Sequence, residues 1–460
     1  MKKLIFIAGW LLLVAASVAQ SVTQKLQKTF QQFEGDDQLK HAISSLYVID
    51  AKTAKVVFDK NSQIGLAPAS TQKIITSVTA FELLGKEYRY KTEFGLLENN
   101  GFKNLYIKPS GDPTFGSWRW EAKKEEKVLA RIIKSINATD LVNSETVFID
   151  GKGWDSRQIP DGWIWQDIGN YYGAGASILN WRENQYDIIL KSGSNIGDAV
   201  SVVETKPALY SYSITSQASS AAKGTGDNAY IYLPVKGNEI MVRGTIPLNE
   251  NRFEISGSMI NPENQFIETI RNSLKDKFNL HSHLSSLTVY APLENKPKIF
   301  HTEYSPTLDS IIYWLNKKSI NLYGEALIKT IAFEKKGFGS TDSGVAIVKD
   351  FWKQKGLDEE ELNIYDGSGL SPLNRVTTHA QVEILKYAKN KSWYPYFYDA
   401  LPEYNGMKVK SGTISDVKGF CGYHKAKDGS EYIFSFLVNN YNGKASALVS
   451  KMYKVLDVLK

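Results

Sequence analysis

Apolar residues fall at helical spacing just after Ser70. Ile74, Ile75, Val78, Phe81, Leu83 and Leu84 form the run, with Pro68 before it and Gly85 after it. Proline suits a first helical turn and glycine the residue after a last one, so the pattern predicts a helix that stops at Gly85. Ahead of it, residues 45–50 and 56–59 are apolar runs joined by a Lys/Thr/Ala turn, which predicts a hairpin. From about residue 86 to 295 the apolar period shortens to two, with turn signals at Asn99-Asn100-Gly101, Asp150-Gly151-Lys152 and Lys236-Gly237-Asn238. That region is expected to be strand-rich, with helical islands near 125–136 and 264–278. Past 295 long helical patterns return, among them one amphipathic stretch over 308–333. Closing strands are expected at 409–414, 417–423 and 432–439, and a last helix at 445–459.

Composition adds a compartment. Cys421, the single cysteine, cannot form an internal disulfide, and between Phe420 and Gly422 it reads as a buried small hydrophobe. Residues 1–19 read as a cleaved secretory signal. Lys2 and Lys3 are its positive end, 4–14 its apolar core, and Ser17-Val18-Ala19 its small-x-small cleavage site. The apolar run is short for a bilayer span and no cysteine follows to carry a lipid, so membrane association is at most peripheral. Export without disulfides fits a bacterial periplasm. The formal charge is +6, of which Lys2 and Lys3 supply two, leaving +4 on the mature chain. That suits an anionic cell-wall polymer and is too little to argue for nucleic acid. His281 and His283 are the only close histidine pair and have no evident third ligand, so a solvated turn is expected there and no metal site.

Candidate chemistry enters with Ser70-Thr71-Gln72-Lys73. A serine hydroxyl is a poor nucleophile without an adjacent base. Three residues apart on a helix, Ser70 and Lys73 share a face, and the amine reaches the hydroxyl. A serine near a helix N-terminus also has backbone N–H groups and a positive dipole end beside it, which favours an oxyanion. The spacing recurs at Ser220/Lys223, in a Ser/Ala/Gly-rich stretch read as a loop, and at Ser415/Lys418, read as a turn between strands. Ser319-Ile320-Asn321 lies inside the 308–333 stretch. Lys410-Ser411-Gly412-Thr413 precedes strand-like runs, where an edge strand offers hydroxyls and N–H groups to a ligand carboxylate and oxyanion. Their look-alikes, Ser135-Ile136-Asn137 and Lys191-Ser192-Gly193, run into loop and turn sequence. Context selects the set at 70, 319 and 410. With the nucleophile helix before the strand-rich block and its partner motifs after it, one catalytic domain is expected, 20–85 plus 296–460, split by an insertion at 86–295.

In order and context these motifs resemble the signature of the penicillin-recognising serine acyltransferases. Over nearly the whole mature chain, the sequence resembles the D-alanyl-D-alanine carboxypeptidase/endopeptidases of the class C low-molecular-mass penicillin-binding proteins. The likeness also covers Gly111-Asp112-Pro113-Thr114, a Trp-rich block and Tyr365-Asp366-Gly367-Ser368-Gly369-Leu370-Ser371. The Trp-rich block comprises Gly162-Trp163-Ile164-Trp165-Gln166-Asp167, Tyr171-Tyr172-Gly173-Ala174 and Leu179-Asn180-Trp181-Arg182-Glu183-Asn184. Two departures stand out: Ile320 where many members carry Asp, and Ser411 where Thr is commoner. Ser411 keeps the hydroxyl, and Ile320 leaves both Ser319 and Asn321 in place.

The resemblance implies an α/β (α+β) fold. A serine transpeptidase/β-lactamase-like domain, its central antiparallel sheet flanked by helices, is interrupted after the nucleophile helix by two small, mostly β domains. It implies Ser70 as the nucleophile that becomes the acyl-enzyme. Lys73 is the base, its pKa lowered by burial and by a nearby cation for which Lys410 is the natural choice. Ser319 relays the proton to the departing amine, and Asn321 bonds the peptide amide. Ser411 and Thr413, either side of Gly412, hold the terminal carboxylate, and the N–H groups of Ser70 and Thr413 hold the oxyanion. Asp167 matches an acid that binds the free amino end of a diaminopimelate side chain. Most of Trp163, Trp165, Tyr171 and Tyr172 are expected in an apolar core between domains, and 366–369 as a tight turn without a chemical role. Peptidoglycan stem peptides are the implied substrate and β-lactams the implied covalent inhibitors, with no cofactor. A β-lactamase or related serine esterase on the same core, and a non-catalytic cell-wall binding protein, are the rival readings.

Overall fold

Residues 431–439 show how the layers form. Tyr432, Phe434, Phe436 and Val438 on the Glu431–Asn439 strand join Leu26, Phe30 and Phe33, whereas Ile433 joins Ile74, Ile75 and Val78. A strand's side chains alternate between faces, so both faces of this one are dry. In this computed structural model, which describes residues 21–99, 101–142, 144, 146–274, 285–289 and 295–460, the strand lies inside a six-stranded sheet. The order is Glu403–Tyr404, Met407–Ile414, Val417–Lys425, Glu431–Asn439, Ile43–Asp50 and Val56–Lys60, every pair antiparallel. Helices Val22–Glu34 and Ala445–Leu456 cover one face, and Lys73–Leu84, Asn321–Lys336 and Thr378–Lys389 the other. This is the mixed α/β arrangement that the resemblance implies.

The Val22–Glu34 helix is an addition to the expected elements. Its signal was present: Ser21 and Gln24 form a capping box, and Leu26, Phe30 and Phe33 repeat at helical spacing. A second difference falls in the long stretch over 308–333. It is two helices, Leu308–Lys317 and Asn321–Lys336, broken at Ser319, whose φ of 57° is left-handed.

Between the Lys73–Leu84 helix and this pair, five strands form one mixed sheet in the order Ser285–Val289, Thr146–Asp150, Phe102–Lys108, Lys91–Asn99, Lys298–Tyr304. Helices Glu125–Asn137 and Pro262–Ser273 close over it on a core of Phe94, Leu105, Ile132 and Phe266. Its last strand lies past residue 295. Two smaller sheets, one built on Gln185–Lys191 and one on Glu239–Pro247, share a separate core of Tyr186, Ile188, Ile240 and Val242. The expected leader at 1–19, and His281 and His283, lie outside the described residues. No helix among the described residues is long and apolar enough to cross a membrane.

The Val22–Glu34 helix is held chiefly by its aromatic face. The Phe30 ring centroid lies 5.2 Å from that of Phe58 and 5.7 Å from those of Phe33 and Phe436. Truncating a buried Phe to Ala costs about 3–5 kcal/mol. Phe30→Ala is predicted to lower unfolding stability by that amount in urea denaturation; a loss below about 1 kcal/mol would show a helix only loosely docked.

Candidate active site

Ser70 lies in a 3-10 turn, Ala69–Gln72, that runs directly into the Lys73–Leu84 helix. Ala69 is held at a left-handed φ of 46°, a conformation that costs a non-glycine residue roughly 1–3 kcal/mol and clusters at functional sites. Gly85 ends the helix, as its spacing predicts. Residues Lys73 through Phe81 are all buried, so the helix is a central one and Lys73 faces no water. Its Nζ lies 3.0 Å from Ser70 Oγ, 2.6 Å from Asn321 Oδ1 and 2.7 Å from the Ser368 carbonyl. As an ammonium it donates to all three. As an amine it keeps two donors, which match Asn321 and Ser368, and turns a lone pair to the Ser70 hydroxyl.

Burial lowers the Lys73 pKa to about 7, against the pull of the acids Asp366 and Glu325, which favour the charged form. The expected help from Lys410 takes a different form. The repulsion between the two amines is registered on Lys410, whose pKa falls well below the ordinary lysine value, first by burial and then through Lys73 and Lys418.

The break at Ser319 positions two side chains. Ser319 Oγ accepts from Lys410 Nζ at 2.9 Å, and Asn321, now the first residue of its helix, points at Lys73. Both ends of the Asn321 amide are engaged, because its Nδ2 donates to the Tyr172 carbonyl at 2.7 Å. Asn321 therefore braces Lys73, and the second N–H of its amide is left for another acceptor.

Lys410-Ser411-Gly412-Thr413 occupies the strand Met407–Ile414. Its outer partner, Glu403–Tyr404, pairs only with Met407 and Lys408, so the motif is a free edge as expected. Gly412 brings this edge against the nucleophile turn. A Cβ there would sit 2.6 Å from the Pro68 carbonyl oxygen, 2.9 Å from Thr71 N and 3.0 Å from Ser70 N, so any larger residue separates the two backbones. Lys410 is buried, and Thr413 is exposed with its hydroxyl accepting from Lys418 Nζ at 2.7 Å.

The 366–369 block does more than shape a wall. Ser368 supplies the carbonyl that holds Lys73, and the buried Asp366 carboxylate accepts from Gln72 Nε2, Gly369 N, Ser371 N, Asn374 Nδ2 and Trp163 Nε1. Glu325, one turn after Asn321, accepts from Gly367 N. Burial and then the Asp366 charge raise the Glu325 pKa, biasing it towards its neutral form. Sequence reasoning missed both. Glu325 was findable from its four-residue spacing to Asn321 on the same helix face; a main-chain carbonyl such as that of Ser368 leaves no signal in the side chains.

These segments enclose a cavity of about 440 Å³ whose wall includes Ser70, Ser319, Asn321, Thr413, Asp167 and Tyr171. Lys73, Lys410 and Gly412 lie behind it, and Ser411 sits on the same strand off its lining. Asp167, in the one-turn helix Trp165–Ile168, is half-buried; burial raises its pKa, and the Tyr172 hydroxyl donates to it at 3.3 Å. Trp163, Trp165, Tyr171 and Tyr172 do not form the apolar core expected for most of them, whereas Trp181 of the same block is buried against Phe115 and Phe266. Tyr171 and Tyr172 line the cavity, Trp165 is exposed, and Trp163 bonds Asp366. Among the look-alikes, Ser220 is buried in the short strand Ser219–Ala221 rather than a loop, with Lys223 exposed. Ser415 does lie in the turn between strands, and it lines the cavity.

A serine hydroxyl beside a dry amine, packed against the edge of an antiparallel sheet, is the arrangement of a transpeptidase-like serine hydrolase fold. Residues 23–403 match the D-Ala-D-Ala carboxypeptidase 3 (S13) family. The chain belongs to that family of serine peptidases. It is 26% identical over 447 residues to the D-alanyl-D-alanine carboxypeptidase of Actinomadura sp. strain R39, covering 90% of this chain and 81% of that protein. It is 24% identical over 419 residues to the D-alanyl-D-alanine carboxypeptidase DacB of Haemophilus influenzae, covering 84% and 83%. The fold is similar to the crystal structure of penicillin binding protein 4 from Haemophilus influenzae, with a TM-score of 0.77 at 18% identity, over 94% of this chain and 98% of that one.

Because Gly412 sets the approach of the edge strand to Ser70, Gly412→Ala is predicted to lower kcat/KM for D-Ala release about 100-fold, as misplacement by an ångström does. The protein still folds, losing about 1–3 kcal/mol. An unchanged rate would show that the two backbones do not need this contact.

Proposed function

We propose that this chain hydrolyses the D-Ala-D-Ala ends and the D,D cross-links of peptidoglycan stem peptides through an acyl-enzyme on Ser70. The observation that carries the mechanism is the 3.0 Å contact between Ser70 Oγ and a wholly buried Lys73 Nζ. Lys73 in its amine form takes the Ser70 proton as Oγ attacks the carbonyl carbon of the penultimate D-Ala. The oxyanion rests between the backbone N–H groups of Ser70 and Thr413, which Gly412 brings close. Ser319, held by Lys410, passes a proton to the departing D-Ala amine, and water then cleaves the ester. Lys410, Ser411 and Thr413 attract the terminal carboxylate. Asn321 holds Lys73 and bonds the substrate amide with its remaining N–H.

β-Lactams acylate the same serine in this reading, as the complex of the structurally similar Haemophilus protein with a β-lactam suggests. We assign the catalytic unit to residues 20–85 plus 305–460, its second segment starting later than the expected 296 because the strand Lys298–Tyr304 pairs with Lys91–Asn99 of the inserted part. The inserted part, 86–304, comprises two units, one on each of its cores. The leader-like residues 1–19 support a periplasmic location. Incubation with a D-Ala-D-Ala pentapeptide should release D-Ala, and Ser70→Ala should abolish release while the protein remains folded. Release that survives Ser70→Ala overturns the reading. A penicilloyl adduct that persists for minutes separates it from a β-lactamase, which would clear the adduct rapidly.

Asp167 is the specificity element. If it pairs with a cationic side-chain end, Asp167→Asn weakens turnover of diaminopimelate-type peptides about ten- to a hundredfold, the range of a charge-assisted hydrogen bond. A small D-Ala-D-Ala mimic without that amine hardly changes. Equal losses on both substrates would point to a structural role.

A further inference from the structure

Lys418 stands directly across the antiparallel pair from Thr413, and its Nζ donates to Thr413 Oγ1 at 2.7 Å. Its head also lies 5.1 Å from the Phe420 ring centroid. Burial lowers its pKa, and no ion pair with a carboxylate accompanies it among the described residues; Asp416, the nearest acid in sequence, is exposed in the turn. Lys410, on the facing strand, feels its repulsion. Two lysines thus converge on the edge Lys410–Thr413 without an acid between them. A cation drawn out of water gains most from an anion, and the described residues supply none within ion-pair distance of Lys418.

The hydrogen bond has a directional consequence. An ammonium has only donors, so Thr413 Oγ1 must accept from Lys418, and the hydroxyl proton is left to point elsewhere. Thr413 lines the cavity beside Ser70, so that proton is free to turn into the cavity. We propose that Lys418 is a positioning residue for substrates with a free terminal carboxylate, locking the Thr413 hydroxyl as a donor and adding positive charge to its subsite. The inference rests on the reading above that Ser70 is acylated with the carboxylate at Thr413. It assigns a role to a lysine of the look-alike Ser415/Lys418 pair: Lys418 acts through Thr413 and is no base for Ser415.

The test uses two acyl-D-Ala thioesters, one with a thioglycolate leaving group that carries a carboxylate and one with its neutral methyl ester. Lys418→Gln is expected to lower the ratio of kcat/KM for the acid to that for the ester about tenfold, the scale of a lost charge-assisted bond. It should also flatten the dependence of that ratio on salt. Lys418→Arg, which keeps the charge, should restore most of the ratio, and thermal melting of both variants reports folding. Equal losses on acid and ester, or no loss on either, overturns the proposal. A wild-type protein that reacts with neither thioester defeats the Ser70 reading itself, and this inference falls with it.

Discussion

Lys73 loses all contact with water on folding, and most of the catalytic half is arranged around that loss. Its pKa of about 7 lies below the ordinary value of 10.5, so between those values the folded chain binds fewer protons than the unfolded one. The burial therefore costs stability in full below pH 7, roughly 5 kcal/mol, and the cost fades as pH rises towards 10.5. What offsets it is satisfaction of every donor by Ser70, Asn321 and Ser368. Reactivity and instability have one cause: the dry pocket that disfavours the ammonium leaves an amine able to accept a proton at neutral pH.

Each partner of Lys73 comes from a different stretch of chain, and each is placed by a local exception to regular structure. Ala69 and Ser319 are both left-handed, one turning the nucleophile into the helix and the other breaking two helices apart. Gly369 packs so closely that a Cβ would sit 1.9 Å from the Ala69 carbonyl oxygen, which lets the Ser368 carbonyl reach Lys73. Such strain persists only where surrounding packing over-determines it. Asp366 supplies that packing, joining the nucleophile turn, the Ser371 loop and Trp163 of the inserted part through one buried carboxylate.

Side chains with a period or a charge were legible in the sequence; contacts made by backbone were not. Ser70 and Lys73 could be read because three-residue spacing on a helix has one geometric meaning. The edge strand at Lys410 could be read because apolar, strand-like runs follow it at 419–423 and 432–438. The break at Ser319 was hidden because Leu315, Ile320 and Leu322 continue an apolar pattern across it, and one left-handed residue does not disturb hydropathy. The 366–369 block looked like an ordinary turn because its contribution is a carbonyl. In the Trp-rich block, hydrophobicity suggested a core, yet Tyr171 and Tyr172 turn their rings to a cavity that only the fold creates.

The central claim is that a buried amine, and no other group, activates Ser70. The most direct measurement is the single-turnover rate of Ser70 acylation by a labelled β-lactam as a function of pH, with the adduct located by peptide mapping. The account predicts a label on Ser70 and a rate that rises through a midpoint near pH 7, set by the free enzyme's Lys73. A rate that stays flat from about pH 5 to about pH 9 with acylation itself limiting, or a label on Ser220 or Ser415, would contradict it.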